Sequence, residues 1–173
     1  LAAVNACKGM CVLQNYPYEY MEDFEKLLKT TGLKIHHFAD IAVVYKYNHK
    51  NSDISVHTGF YPAFSTDAGP LLSGALVNNK GVLNLCETVF ENRFMHVAEF
   101  NRQGANIKTD GNCAIIPGGK QLQGAQVVAT DLRAGAAVIL TGLVAEGTTE
   151  VSDIYHIDRG YEKLVDKFRG LGA

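Results

Sequence analysis

The sequence has almost no excess of charge: 16 lysines and arginines stand against 18 aspartates and glutamates, a formal net charge of −2. Without a global field, nothing draws the chain to nucleic acid or to an anionic membrane, so any anion site must be local and built from a few placed side chains. Long apolar runs are missing as well. Stretches such as residues 134–145 are too short to span a bilayer, and no basic segment followed by an apolar core and a cleavage site opens the chain, so the expected location is the cytoplasm. Cysteine is scarce: Cys7, Cys11, Cys86 and Cys113 lack the paired spacing of a metal site, and Cys7 and Cys11 fall one helical turn apart in an apolar stretch. Buried free thiols are the expected state of all four. The six histidines form no ligand set, and Gly118-Gly119-Lys120 lacks the spacing of a phosphate loop. No metal, no cofactor and no ATP site are expected.

What the chain does have is the length and apolar content of one globular domain, with 173 residues of which 47% are hydrophobic. It also has an internal repeat. Three segments follow one plan, and the units run roughly over residues 1–60, 61–125 and 126–173. Each opens with an apolar stretch (1–8, 68–77, 132–145), two of them leading to a turn at Lys80-Gly81 or Glu146-Gly147 and a short strand (82–88, 148–154). Each then carries an amphipathic helical pattern (18–32, 93–104, 159–172) that stops at Gly32, Gly104 or Gly172, the position just past a helix C-terminus. In the first two units a strand pair follows, 34–37 with 41–47 and 106–109 with 113–116, the second turning at Asp110-Gly111. The third unit stops before its pair, and the first enters in mid-helix, so the expectation is a repeat domain incomplete at both ends.

The two helix types differ. The stretch from Leu132 is apolar on nearly every face, whereas Tyr161-Glu-Lys-Leu-Val-Asp-Lys-Phe168 has a polar side. Helices apolar all round belong inside, so the sheets should lie outside a core of buried helices.

Three arginines, Arg93, Arg133 and Arg159, stand beside expected helix starts, where a cation opposes the helix dipole and local stability does not ask for it. Pairing with a neighbouring acid such as Glu91 or Asp158 would explain any one of them; three at related positions point instead to a site for carboxylate or phosphate. Asp67 and Asp131 each follow a threonine at an expected helix start, and capping accounts for both. Asp67 also ends a loop, Tyr61-Pro-Ala-Phe-Ser-Thr66, whose proline and aromatics could face a carboxylate into a cleft for general-base work. Gly135 in its helix suggests close packing, and the tyrosines of Tyr16-Pro17-Tyr18-Glu19-Tyr20 are read as packing at a helix entrance.

Three motifs, Glu87-Thr-Val-Phe-Glu-Asn-Arg-Phe-Met-His96, Ala129-Thr-Asp-Leu-Arg-Ala134 and Ile154-Tyr-His-Ile-Asp-Arg-Gly-Tyr-Glu162, closely resemble those of UDP-N-acetylglucosamine enolpyruvyl transferases. The resemblance covers residues 61–173 and, more loosely, the part before. It implies an α/β fold, the inside-out barrel of βαβαββ units of which that family has two, and transfer of enolpyruvyl from phosphoenolpyruvate to the 3'-hydroxyl of UDP-N-acetylglucosamine with release of phosphate. That is a step of peptidoglycan synthesis, and so of cell-wall biogenesis, cell shape and division.

It further implies that Asp67 removes the hydroxyl proton and that Val89 contacts the nucleotide sugar through its backbone. Arg93, Asp131, Leu132 and Arg133 would help form the interdomain site, and Arg159 would bind phosphoenolpyruvate. The partners implied are the two substrates and a sister domain bearing the family's reactive cysteine, which none of the four cysteines here matches; the isolated chain is then expected to be inactive. Two departures stand out: Ser65 where a proline is usual, and Ala68-Gly69-Pro70 in place of a glutamine-containing stretch. The alternatives are a 5-enolpyruvylshikimate-3-phosphate synthase-like transferase and a non-catalytic binding module that keeps one half-site.

Overall fold

The computed structural model describes residues 1–172, so Ala173, which closes the third stop motif, lies outside the described residues. Three helices form the centre: α1 (Ala2–Cys7), α3 (Gly69–Leu76) and α5 (Leu132–Gly142), with α3 packed against both of the others. Their composition dictates this place. In α3 every residue but Leu71 is buried, and in α5 the run from Ala134 to Val138 is buried, so neither helix has a face to offer water. Gly135 answers the packing expectation: a Cβ there would lie 2.7 Å from Ile157 Cγ1 and 3.0 Å from Ala129 Cβ. The outer helices α2 (Glu22–Thr30) and α4 (Met95–Arg102) are one-sided, burying Leu28 and Phe100 completely. They stop as expected, with Gly32 at φ 98° and Gly104 at φ 90°.

Around these helices lie three small sheets. The first orders its strands β1 (Met10–Leu13), β3 (Ile41–Tyr45) and β2 (Lys34–Phe38), all antiparallel. The largest contains β4 (Ile54–Gly59), β5 (Phe64–Ser65), β6 (Val82–Cys86), β7 (Lys108–Asp110) and β8 (Cys113–Pro117) in the order β5-β4-β6-β8-β7. Here β4 runs parallel to β6 with α3 between them in the chain, while β6, β8 and β7 pair antiparallel, which is the βαβαββ pattern in full. The third sheet pairs β9 (Gln126–Val128) with β10 (Glu150–Ser152) in parallel around α5. Alternating burial along β4 and β8 gives each strand one apolar face on the helices and one face toward water. The sheets therefore lie outside a helical core, the inside-out α/β arrangement expected.

Buried polar bonds tie the layers together. On α1, Asn5 Oδ1 accepts from Thr31 Oγ1 at 2.8 Å and from Lys46 Nζ at 2.8 Å; on α5, Thr141 Oγ1 donates to Gln103 Oε1 at 2.6 Å. Thr31 and Gln103 each immediately precede a stop glycine, so an inner helix grips the end of an outer helix in two of the units. Lys46 is wholly buried among neutral oxygens, and burial, aided by the charge of Lys8, brings its pKa down to about 8.

Three expectations are corrected. Cys86 and Cys113 are not free: they sit directly opposite each other on β6 and β8, with Cα atoms 4.0 Å apart, and form a disulfide. Cys7 is an exposed free thiol and Cys11 a half-buried one. The pattern from residue 159 to 172 is not one helix, because α6 (Tyr155–Asp158) ends at Arg159 and α7 (Leu164–Gly170) begins after Lys163, whose φ of 46° breaks the helical path. Arg159 consequently caps the C-terminus of α6, where the helix dipole welcomes a cation, and does not stand at a helix start. Among the described residues, no helix is long and apolar enough to cross a membrane.

Candidate active site

The loop between β4 and α3 is held by its own short strand. Phe64 and Ser65 pair in parallel with Thr58 and Gly59, which leaves Tyr61 almost fully exposed and turns Phe64 inward. A 3₁₀ turn over Thr66–Ala68 follows, and from it Asp67 projects. Pro70 falls in the first turn of α3, where its missing N–H takes nothing from the helix, so the Ala68-Gly69-Pro70 departure leaves the helix start intact.

Asp67 caps nothing. No side-chain cap bond is made at the start of either the 3₁₀ turn or α3. Its carboxylate instead receives two arginines from distant parts of the chain. Arg93 Nη2 donates to Oδ1, and Arg133 Nη2 donates to Oδ2 at 2.8 Å, with Arg133 Nε also against Oδ1. The hydrogen bond and charge of Arg133, together with the charge of Arg93, hold the Asp67 carboxyl below the usual carboxylate range, and Asp67 in turn raises Arg133. Neither arginine follows the neighbouring-acid account, since Arg93 bypasses Glu91. Arg93 also lies 4.9 Å from the centre of the Phe90 ring, a cation–π contact.

Asp131 is the cap that its spacing suggested. Its Oδ1 accepts the backbone N–H groups of Arg133 at 2.7 Å and Ala134 at 2.8 Å, which fixes the first turn of α5 and so aims Arg133. Leu132 lines the cleft beside it. Val89 is placed near Arg93 in the segment after β6, but its N–H is already donated to Glu87 Oε1 at 2.7 Å, leaving its carbonyl as its backbone group for a ligand. Arg159 stays apart: its side chain is exposed and, among the described residues, makes no hydrogen bond or ion pair.

Asp67 and Arg133 border a cleft of ≈ 720 Å³, large enough for a nucleotide-sized ligand, lined by Tyr20, Phe24, Tyr61, Phe64 and Tyr161 among others, while Arg93 reaches Asp67 from outside that lining. Tyr20 is 81% exposed, so it serves this wall and does not pack at a helix entrance, whereas Tyr16 is buried as expected. Glu87, Thr66 and Tyr161 were not singled out by spacing. Tyr161 stands two residues from Arg159 in the third motif, and Glu87 opens the first. Among the described residues, no cluster of three or more histidines, cysteines or acids could hold a metal. Chemically, the arrangement offers the Asp67 carboxylate and the Arg133 guanidinium at a wide cleft, with Arg93 bonded to the same carboxylate, fit to orient a hydroxyl beside an anion.

Comparison with known proteins gives this geometry its context. The family model described as EPSP synthase (3-phosphoshikimate 1-carboxyvinyltransferase) matches residues 1–168. The chain belongs to this family. Among curated members, a UDP-N-acetylglucosamine 1-carboxyvinyltransferase of Caldanaerobacter subterraneus is 46% identical over 166 residues, which are 95% of this chain and 40% of the relative. The Halothermothrix orenii protein of the same name is 46% identical over 173 residues, 99% of this chain and 40% of that one. The chain thus spans about 40% of the length of the curated relatives it matches. Of the solved family structures, the enolpyruvyl transferase NikO from Streptomyces tendae superposes with a TM-score of 0.85 at 24% identity, covering 99% of this chain and 42% of that one. EPSP synthase from Acinetobacter baumannii follows at 0.59 and 17%, covering 91% and 40%. These superpositions agree on the fold, and the resemblance read from the three motifs is borne out by the curated relatives.

Proposed function

We propose that the chain forms the greater part of one barrel domain of a UDP-N-acetylglucosamine enolpyruvyl transferase, whose sister domain closes over the cleft and supplies the remaining groups. The observation that carries this reading is the convergence of Arg93 and Arg133 on Asp67 at the cleft. With both arginines on it, Asp67 is a weak base. An anionic substrate such as phosphoenolpyruvate competes for the same guanidinium groups, and once they turn to it the carboxylate regains its proton affinity. Asp67 can then take the proton of the sugar 3'-hydroxyl as that oxygen adds to the enol carbon and the methylene carbon takes up a proton from an acid of the sister domain; phosphate leaves as that carbon gives up a proton and the double bond is restored. In this scheme the two arginines stabilise the phosphate charge, Arg159 reaches the phosphoenolpyruvate as the domains close, and the Val89 carbonyl meets the nucleotide sugar. Asp131 acts by capping α5 under Leu132 and Arg133.

The identities near 46% to proteins named for the nucleotide sugar, beside 17% to an EPSP synthase, favour UDP-N-acetylglucosamine over shikimate 3-phosphate as acceptor. On the same reading the enzyme works in the cytoplasm in peptidoglycan synthesis and cell division. The test is phosphate release by the complete enzyme from phosphoenolpyruvate with each acceptor in turn. Release with UDP-N-acetylglucosamine alone is expected; release with shikimate 3-phosphate alone favours the synthase, and release with neither favours the binding module.

A further inference from the structure

Glu87 follows the last residue of β6 and is only 3% exposed, yet among the described residues it forms no ion pair. Its carboxylate is filled by neutral donors. Oε1 accepts the backbone N–H groups of Val89 at 2.7 Å and Phe90 at 3.1 Å, and Oε2 accepts the Thr66 hydroxyl at 2.6 Å. No helix begins at residues 88–90, since α4 starts at Met95, so helix capping does not account for the bonds. A buried carboxylate is costly even when its lone pairs are filled, so its presence here calls for a role beyond packing.

The main chain of Glu87 is itself fixed. Its N–H donates to the Asn112 carbonyl at 2.7 Å, and Asn112 Nδ2 donates back to the Glu87 carbonyl at 2.8 Å. Thr88 is held in the same way to Thr58, through its N–H at 3.0 Å and its hydroxyl at 2.5 Å. From this anchored frame the side chain reaches the two segments that carry Asp67 and Arg93. One end grips Thr66, the first residue of the turn that carries Asp67; the other grips the segment whose Phe90 ring lies against Arg93.

We propose that Glu87 is a positioning residue, acting through Thr66 and Phe90 to hold Asp67 and Arg93 in register while touching neither. For its kinetic consequences the proposal rests on the enolpyruvyl transfer reading. In the complete enzyme Glu87→Ala lowers kcat by about 10- to 100-fold, the range for losing hydrogen bonds to a charged group. Glu87→Gln keeps Oε1 for both amides, and the Thr66 hydroxyl can turn to accept from its new amide, so this variant stays within about threefold of the parent. Thr66→Val removes one hydroxyl at nearly constant volume and leaves a buried carboxylate oxygen short of a donor, so it lowers kcat per folded molecule together with a modest fall in Tm. Adding it to Glu87→Ala brings no further loss of kcat, because the bond that Thr66→Val removes is already gone in Glu87→Ala.

If the parent protein releases no phosphate with either acceptor, the functional reading fails while the positioning claim keeps its own readout. Inorganic phosphate, titrated calorimetrically as a probe of the arginines, then binds about tenfold more weakly to Glu87→Ala and nearly normally to Glu87→Gln. The proposal is overturned if Glu87→Ala loses only Tm while keeping phosphate affinity and kcat per folded molecule, or if Glu87→Gln is as damaged as Glu87→Ala.

Discussion

His96 lies on α4 behind the site, 1% exposed, with Nε2 unpartnered and with Asp131 and Arg93 as the charges that face it. Burial, assisted by Arg93 and opposed by Asp131, lowers its pKa from 6.5 to about 4. Between those values the unfolded chain binds a proton that the folded chain refuses, so this contribution to stability is complete above pH 6.5 and is lost as the pH falls toward 4. A shift of that size corresponds to about 3 kcal/mol in all, of which about 2 kcal/mol falls between pH 7 and pH 5. Asp67 and Glu87, whose pKa values are also lowered, lose their contributions only below their unfolded values near 4 and stay outside this window. His49, pushed down to about 4 chiefly by burial, titrates within it. The perturbation is therefore His96→Leu, because a comparison of variant and parent cancels His49. Urea unfolding at the two pH values should show the parent losing about 2 kcal/mol more than the variant. Equal losses, or an NMR titration of the His96 imidazole with a midpoint near 6.5, would refute the reasoning.

Asp131→Ala strips the acceptor from two N–H groups at the start of α5 and should cost about 1 kcal/mol, seen as a lower Tm, together with a rise in KM as Arg133 loses its aim. A peptide map without reductant should recover Cys86 joined to Cys113, with Cys7 and Cys11 open to alkylation. Reduction should lower stability by about 3.5 kcal/mol, since the bridge joins residues 27 apart in sequence.

The architecture was legible because it is written in local patterns. All-round apolar helices mark the centre, and glycines at positive φ mark where the outer helices end. What stayed hidden depends on contacts between distant residues. Cys86 and Cys113 meet only because the β6–β8 register sets them opposite, and spacing carries no register. The helical pattern after Arg159 is sound by periodicity, yet Ile157 is packed against Gly135 of α5 and the helical path breaks at Lys163, so tertiary packing overrides propensity. Asp67 and Asp131 look alike as threonine-aspartate pairs. The sequence cannot separate them, because a cap is made with the next turn whereas the arginines that claim Asp67 arrive from 26 and 66 residues away. Glu87 was invisible as a site residue for the same reason, its decisive partner being Thr66, 21 residues back.

The contrast between those two acids gives the most direct test of the account. Asp67 is 55% exposed and caps no helix, but its partner Arg93 is only 13% exposed and loses its acid, so Asp67→Ala in the complete enzyme should cost about 1–3 kcal/mol of stability and leave the fold intact. Phosphate release in the presence of phosphoenolpyruvate and UDP-N-acetylglucosamine should meanwhile fall by about 10²- to 10⁴-fold, the range for removing a general base. A variant that keeps near-parental turnover, or that loses its fold along with its activity, would contradict the assignment of Asp67 as the base.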